Sequence, residues 1–276
     1  MSTFDDAGPF SDVPIDDVRL TNAPLVTVLA QLRFPGSLGV LLGDDPVARF
    51  AGAFADEGYP LIERGQQMSL ELSPQGVKTV PAGNLWSMLT ADRRWQVSLT
   101  PEFVTLTTGS YSHRDDFLER LVRVVDVLST ALPVPGVSRV GYRYINRVPG
   151  LTGEQIQPLV RGALHGGLAV PEGGAHLHAS VSESTFSFDP SDGPAGVRDG
   201  LLARWGHLQP GVVLDPTVPP VDEVSWVLDI DAFRHADIPF DREAVAAHVR
   251  EMSVRAYRFF RWAVTDAFLD RFGRES

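Results

Sequence analysis

The sequence predicts an α+β fold: a mainly antiparallel sheet with helices packed on one face, two subdomains and a long C-terminal helix. Three observations predict it. Between Tyr59 and Tyr111, apolar residues recur at every second position in four runs, "QMSLEL", "NLWSML", "RWQVSL" and "FVTLTT", which the turn-forming stretches "SPQG", "TADR" and "TPE" separate. The stretches after Ser112 and after Asp241 instead keep the spacing of three and four that marks an amphipathic helix. An apolar fraction of 43% over 276 residues is ample for a core.

Residues 1–22 are acidic and rich in small side chains, which predicts a flexible lead-in. "APLVTVLAQLRF" then alternates as a strand, with Val26, Val28, Ala30, Leu32 and Phe34 facing the core and Thr27, Gln31 and Arg33 facing away. Asp45 as N-cap, Pro46 at the first helical position, Val47, Phe50 and Phe54 at helical spacing and Gly58 as the stop define a short helix. The meander follows. In "SHRDDFLERLVRVVDVLSTAL", Ser112 and Asp115 form the expected capping pair, with Phe117, Leu121, Val125 and Leu128 as the buried stripe. "RVGYRYINRVPG" is read as a strand that closes an N-terminal α+β subdomain over residues 23–150.

The second subdomain, residues 151–276, has weaker signals. "EQIQPLVRGAL" predicts a short helix and "HLHASVSESTFSF" a strand pair, while "DPSDGPAGVRDG" and "QPGVVLDPTVPPVDE" read as connections. "VSWVLDIDAF" is a strand, and one helix is expected from Asp241 to about Phe272. The order of elements hints that the two halves are related.

The chain has no cysteine, which excludes disulfides, thiolate metal sites and a cysteine nucleophile. The acidic N-terminus reads as neither signal nor transit peptide, and no uncharged apolar run approaches the ~20 residues that span a bilayer. A soluble, cytoplasmic protein without a cofactor is therefore expected. A net charge of −11 opposes general attraction to nucleic acid or anionic lipid, leaving a nucleic-acid-binding role third among the readings. Lys78 is the only lysine, so every other basic chain is arginine, which reads as GC-rich genomic bias.

Several blocks taken in order, "NAPLVTVLAQLRFP", the "W…W.V.LTPEFVTLTTGSY" meander, "RVGYRYINRV", "WVLDIDAF" and "FFRWAVTDAF", resemble a sporadically distributed, uncharacterised bacterial protein family of about this length. The resemblance runs from Asn22 to about Phe268. It implies no catalytic residues; sporadic distribution suits a defence-linked or toxin-antitoxin-like role.

As a strand, "RVGYRYINRV" puts Val140, Tyr142, Tyr144, Asn146 and Val148 on a core face and Arg139, Gly141, Arg143, Ile145 and Arg147 on the other. Arg33, Arg139, Arg143 and Arg147 are candidate ligand or partner contacts, and Gly141 would admit a close approach to the sheet. The plainer reading is that these arginines pair with the chain's own excess carboxylates. His176 with His178, and Asp229 with Asp231, have the alternate spacing of metal ligands; if the pairs met in space they could form a hydrolytic centre, although no metal is expected. "HGG" at His165–Gly167 lacks a Gly-x-Ser-x-Gly elbow, and no phosphate loop or dinucleotide fingerprint is present. Tyr257, Phe260, Trp262 and Phe268 on the last helix are candidate interface residues, for a homo-oligomer or a protein partner, unless the second half wraps them. The reading is a binding protein rather than an enzyme, with a metal-dependent hydrolase as the alternative.

Overall fold

The structure, a computed structural model, describes residues 4–41, 47–73, 76–170, 173, 176–188, 197–215 and 218–275. It belongs to the mixed α+β class. Nine strands form one antiparallel sheet: β1 Leu25–Arg33, β2 Leu61–Ser73, β3 Gly76–Leu89, β4 Trp95–Leu99, β5 Phe103–Thr108, β6 Val137–Pro149, β7 Ser180–Phe188, β8 Arg198–Leu208 and β9 Ser225–Ile238. Their order is β2-β3-β4-β5-β1-β6-β9-β8-β7. The helices are α1 Phe4–Ala7, α2 Val47–Asp56, α3 Arg114–Ala131, α4 Gly153–Ile156, α5 Arg242–Ala263 and α6 Asp266–Arg271.

The chain takes the same path twice. From β1 it crosses through α2 to the edge strand β2, returns inward through β3, β4 and β5 to pair with β1, and enters α3. From β6 it crosses through α4 and short 3-10 turns to the other edge strand, β7, returns inward through β8 and β9 to pair with β6, and enters α5. The two paths meet at the antiparallel pair β1–β6, where Ala30 lies opposite Tyr142 and Arg33 opposite Arg139.

Alternation along the strands decides which residues meet the helices. Val28, Ala30 and Leu32 of β1, Trp86 and Met88 of β3, Val97 and Leu99 of β4, Val140 and Tyr142 of β6 and Leu228, Ile230 and Ala232 of β9 are fully buried on one face. Phe117 of α3 stacks edge-on against Tyr142 at 5.3 Å, and Phe259 of α5 meets Phe186 of β7 at 5.9 Å. Helices α3 and α5 also pack on each other. Each large apolar side chain placed here contributes about 1.5–3 kcal/mol relative to exposure, so this face carries most of the stability.

Helix α2 buries Phe50 and Phe54, and Gly58 ends it with φ 90°, a conformation glycine adopts without strain. Its expected cap, Asp45, and Pro46 lie outside the described residues, as does part of the "SPQG" turn. His113 caps α3: its Nδ1 accepts from Asp116 N at 3.2 Å, and Ser112, expected in that role, donates instead to the Asp116 carboxylate.

Three expectations from the sequence need correction. The last helix does not run to Phe272; it stops at Ala263, because Val264 forms a bridge with Val160 and Thr265 N bonds Leu159 O, and Thr265 then caps α6. "HLHASVSESTFSF" holds one strand, β7, and not a pair; and the end of the "DPSDGPAGVRDG" connection, from Arg198, belongs with the unassigned "LLARWGHL" to strand β8. Leu201, Ala203, Gly206 and Leu208 are buried on both of its faces, which removes the alternation that marks a strand.

Candidate functional site

The face of the sheet turned away from α3 and α5 divides at the β1–β6 seam. In the first half it carries Thr27 and Gln31 of β1, Gln96 and Ser98 of β4 and Thr105 and Thr107 of β5, a neutral polar surface. In the second half arginines and aspartates alternate across β6, β9 and β8.

Asp229 is the hub of that lattice. Its side chain is 3% exposed and accepts from Arg143 Nε and Nη2 at 2.6 Å each and from Arg204 Nε at 3.2 Å and Nη2 at 2.8 Å. Arg143 reaches Asp215 as well, at 2.6 Å, from the loop that joins β8 to β9. Burial works against the Arg143 cation, but the bonds and charges of Asp229 and Asp215 outweigh it and raise its pKa. Asp231 pairs with Arg139 at 2.8 Å; burial nevertheless raises its pKa, against the opposing effect of Arg139 and Arg143.

Arg147 differs from its neighbours in having no carboxylate among the described residues. It is 4% exposed, and its guanidinium donates to Ser225 Oγ at 3.1 Å and to the carbonyls of Pro219 and Val212 at 2.9 Å each, so burial lowers its pKa. Those carbonyls belong to the same β8–β9 loop, which Arg147 thereby clamps over Ile145, Leu208 and Val227. Beneath the loop lies a void of about 10 Å³, room for a water at most.

At the other end of the same face the balance reverses. Arg33 of β1 lies opposite Arg139 of β6, Arg139 opposite His235 of β9, and His235 opposite Arg198 of β8. Four basic side chains therefore stand in one row across four strands, spanning roughly 15 Å at the ~4.8 Å spacing of neighbouring strands. Arg33, His235 and Arg198 are exposed. Arg139 lies over Gly141, where a Cβ would come within 2.6 Å of its Nη1, and its guanidinium sits 4.9 Å from the Phe233 ring centroid. Phe233 in turn lies over Gly200. Neither Arg33 nor Arg198 has an ion-pair partner among the described residues. Partial burial of its ring and then the charges of Arg139, Arg198 and Arg33 hold His235 below the usual histidine range.

The sequence-derived candidates thus separate. Arg143 is absorbed by Asp229 and Asp215, Arg147 clamps the loop, and Gly141 makes room for Arg139. Arg33 and Arg139 remain at the open row. Asp229 and Asp231 are engaged by arginines, His176 and His178 are exposed in a segment before β7, and the described residues hold no group of three or more His, Asp or Glu set to bind a metal ion. Phe268 is fully buried, Trp262 packs on Phe259, and Tyr257 accepts from Val18 N at 2.7 Å, so these aromatics are covered at least in part from within the chain. Sequence reasoning missed Arg198, Arg204, Asp215 and His235. For His235 the signal was continued alternation beyond "LDIDAF", which puts it on the Asp229 face; the others needed strand β8 and its loop.

A second concave feature lies on the helix side. A cleft of about 350 Å³ opens between residues 17–25, the start of α3, the middle of α5 and the Tyr144–Asn146 stretch of β6. The Tyr111 and Tyr144 hydroxyls bond each other there at 3.1 Å.

No family model matches this chain, and no curated protein matches it. No helix among the described residues is long and apolar enough to cross a membrane.

Proposed function

We propose that the chain is a binding protein whose open sheet face recognises an anionic ligand or an acidic patch on a partner protein. The observation that supports this is the row Arg33–Arg139–His235–Arg198. Like charges set directly opposite on neighbouring strands destabilise a sheet, and here two of the arginines have no compensating carboxylate among the described residues. Such a row is costly in the free protein and is relieved when an anion docks, which is how a binding surface differs from a structural ion-pair lattice. It sits beside the Asp229 lattice, whose arginines are already neutralised, so an incoming anion has one place to settle.

The setting we propose is cytoplasmic, in a bacterial defence or toxin-antitoxin-like system, following the resemblance of the sequence blocks to a sporadically distributed family. The two halves would act as subdomains of one scaffold, and a homo-oligomer or a protein partner would cover the face. The metal-dependent hydrolase alternative has its aspartates bonded to arginine, and no observation favours it.

The test is titration of tripolyphosphate and of a labelled octaglutamate peptide at low and high salt. At least one probe should bind and weaken with salt, and Arg33→Gln/Arg198→Gln should cost about tenfold in affinity, two exposed contacts of roughly 0.5–1 kcal/mol each. Full affinity in the double variant, or no binding of either probe by the wild type, sinks the reading.

A further inference from the structure

The cleft on the helix side is a separate site, and we propose that it takes a nucleoside, with the base held at the floor and the sugar at the mouth. Its volume, about 350 Å³, falls in the range of small-molecule pockets and suits one base and one pentose.

The floor is polar but uncharged. Asn146 is 3% exposed and lines the cleft; its Nδ2 reaches Leu228 O at 3.4 Å, while Oδ1 has no partner among the described residues. The Asn146 Oδ1 is therefore open to accept, and the side available to it is the cleft. Two residues away on the same face of β6, Tyr144 shares one hydrogen bond with Tyr111. Two hydroxyls carry two protons and that bond uses one, so the other O–H is shared between the nearby Tyr142 hydroxyl and the cleft. The amide and the phenol are rooted two residues apart, about 6.6 Å along the strand, so they can meet two separate polar atoms of one flat ring. Beside this floor Arg114 also lines the cleft, with a buried Nε that has no partner among the described residues, so a ring carbonyl would find a donor there.

The walls fit a flat ring. Tyr111, Tyr257 and Phe260 line the cleft, and Tyr257 is held in place by its bonds to Val18 N and Asp16 O. Ring faces next to base-reading polar groups are how proteins hold an unstacked base. The lining carries Asp17, Asp115 and Glu275, acceptors of the kind that bind sugar hydroxyls, against Arg19 and Arg114, and this balance of three carboxylates to two guanidiniums gives a polyphosphate no net attraction.

Adenosine, guanosine, cytidine and uridine would each be titrated by calorimetry into the intact chain. At least one should bind with a micromolar dissociation constant, and the corresponding triphosphate should bind more weakly. Asn146→Ala should weaken it by at least about tenfold, the loss typical of a buried polar contact. Because that change could disturb the sheet, Ala23→Trp, an exposed rim position whose indole would fill the mouth, provides a second variant expected to fold and to lose binding. Arg33→Gln/Arg198→Gln, on the opposite face, should leave nucleoside affinity unchanged. Absence of binding by all four nucleosides, or binding that survives both Asn146→Ala and Ala23→Trp, overturns the proposal.

Discussion

The two halves of the molecule follow one path and use it differently. Strands β1–β5 with α3, and strands β6–β9 with α5, each start at the seam, cross to an edge, return strand by strand and end in a helix on the core face. On that face they are alike: aromatic and aliphatic side chains meet a helix. On the other face they diverge. The first half carries threonine, serine and glutamine there, uncharged and buried or half-buried. The second half inserts the long β8–β9 connection, which folds back over the sheet and brings Asp215 and two carbonyls to Arg143 and Arg147. The lesson is that one scaffold can keep its core constant while the outward residues of three strands, closed over by one loop, turn the reverse face from neutral to charged.

That contrast can be broken most sharply at Asp229. Asp229→Ala removes the carboxylate that Arg143 and Arg204 share, and because Arg143 keeps Asp215 and Arg204 is a quarter exposed the cost should be about 3 kcal/mol, the low end for breaking a buried ion pair. Thr105→Ala, on the same face in the first half, should change stability by no more than about 0.5 kcal/mol; urea unfolding of the two variants measures the difference. Equal effects would show that the halves are not distinguished by this lattice.

Next in size is the clamp. Arg147→Met removes three hydrogen bonds from a charged donor and should cost about 2–3 kcal/mol, with new protease cleavage in the stretch Gln209–Val224 and none in the first-half turns.

A smaller effect concerns acid. Asp199 of β8 is held below the usual carboxylate range: burial opposes this, but Arg234 at 2.7 Å and Arg255 at 3.0 Å outweigh it. A carboxylate whose folded pKa is depressed contributes stability above its unfolded pKa of about 3.9 and loses it as pH falls through the folded value. Wild type should therefore lose stability on going below pH ~4 more steeply than Asp199→Asn, which a series of denaturant midpoints would reveal.

The smallest change has the opposite sign. Arg33→Gln/Arg198→Gln relieves like-charge contacts across the seam and should leave the melting temperature level or slightly raised, within about 0.5 kcal/mol, while anion affinity falls. A clear loss of stability would make the row structural. Anion binding by the wild type should also strengthen as pH drops below 6.5, because a bound anion favours protonated His235 against Arg33, Arg139 and Arg198; Asp237, next on that face, limits the gain.

Legibility in the sequence followed the same division. β1 and β5 show clean alternation because their reverse faces stay only part-buried, and β6 could be read from its residue types although the loop buries Ile145 and Arg147 on its reverse face. In β8, the Leu201–Leu202–Ala203 run has lost its period because core and loop cover both faces. The arginine face of β6 was assigned to the correct side, and pairing with the chain's own carboxylates does account for Arg139 and Arg143. What could not be read was register. Only the pairing of β8 with β9 places Arg198 beside His235, and only the path of the loop separates the sealed Arg147 from the open Arg33. The cleft depends on three distant segments meeting, and Asn146 looked like one more polar residue on a core face.

The seam also sets the order in which the molecule can be completed. Strand β1 sits between β5 and β6, and its bonds to β6 join residues more than a hundred positions apart, such as Arg33 with Arg139. While the chain is being synthesised, the first meander can close on one side of β1 long before β6 emerges, leaving the other side an unpaired strand edge along Leu25–Arg33. Edges of that kind recruit neighbouring chains. A nascent or truncated chain ending before Val137 should therefore self-associate through β1 and need chaperone cover, and the arrival of β6 covers that edge while passing the open side to β6 until β9 pairs with it.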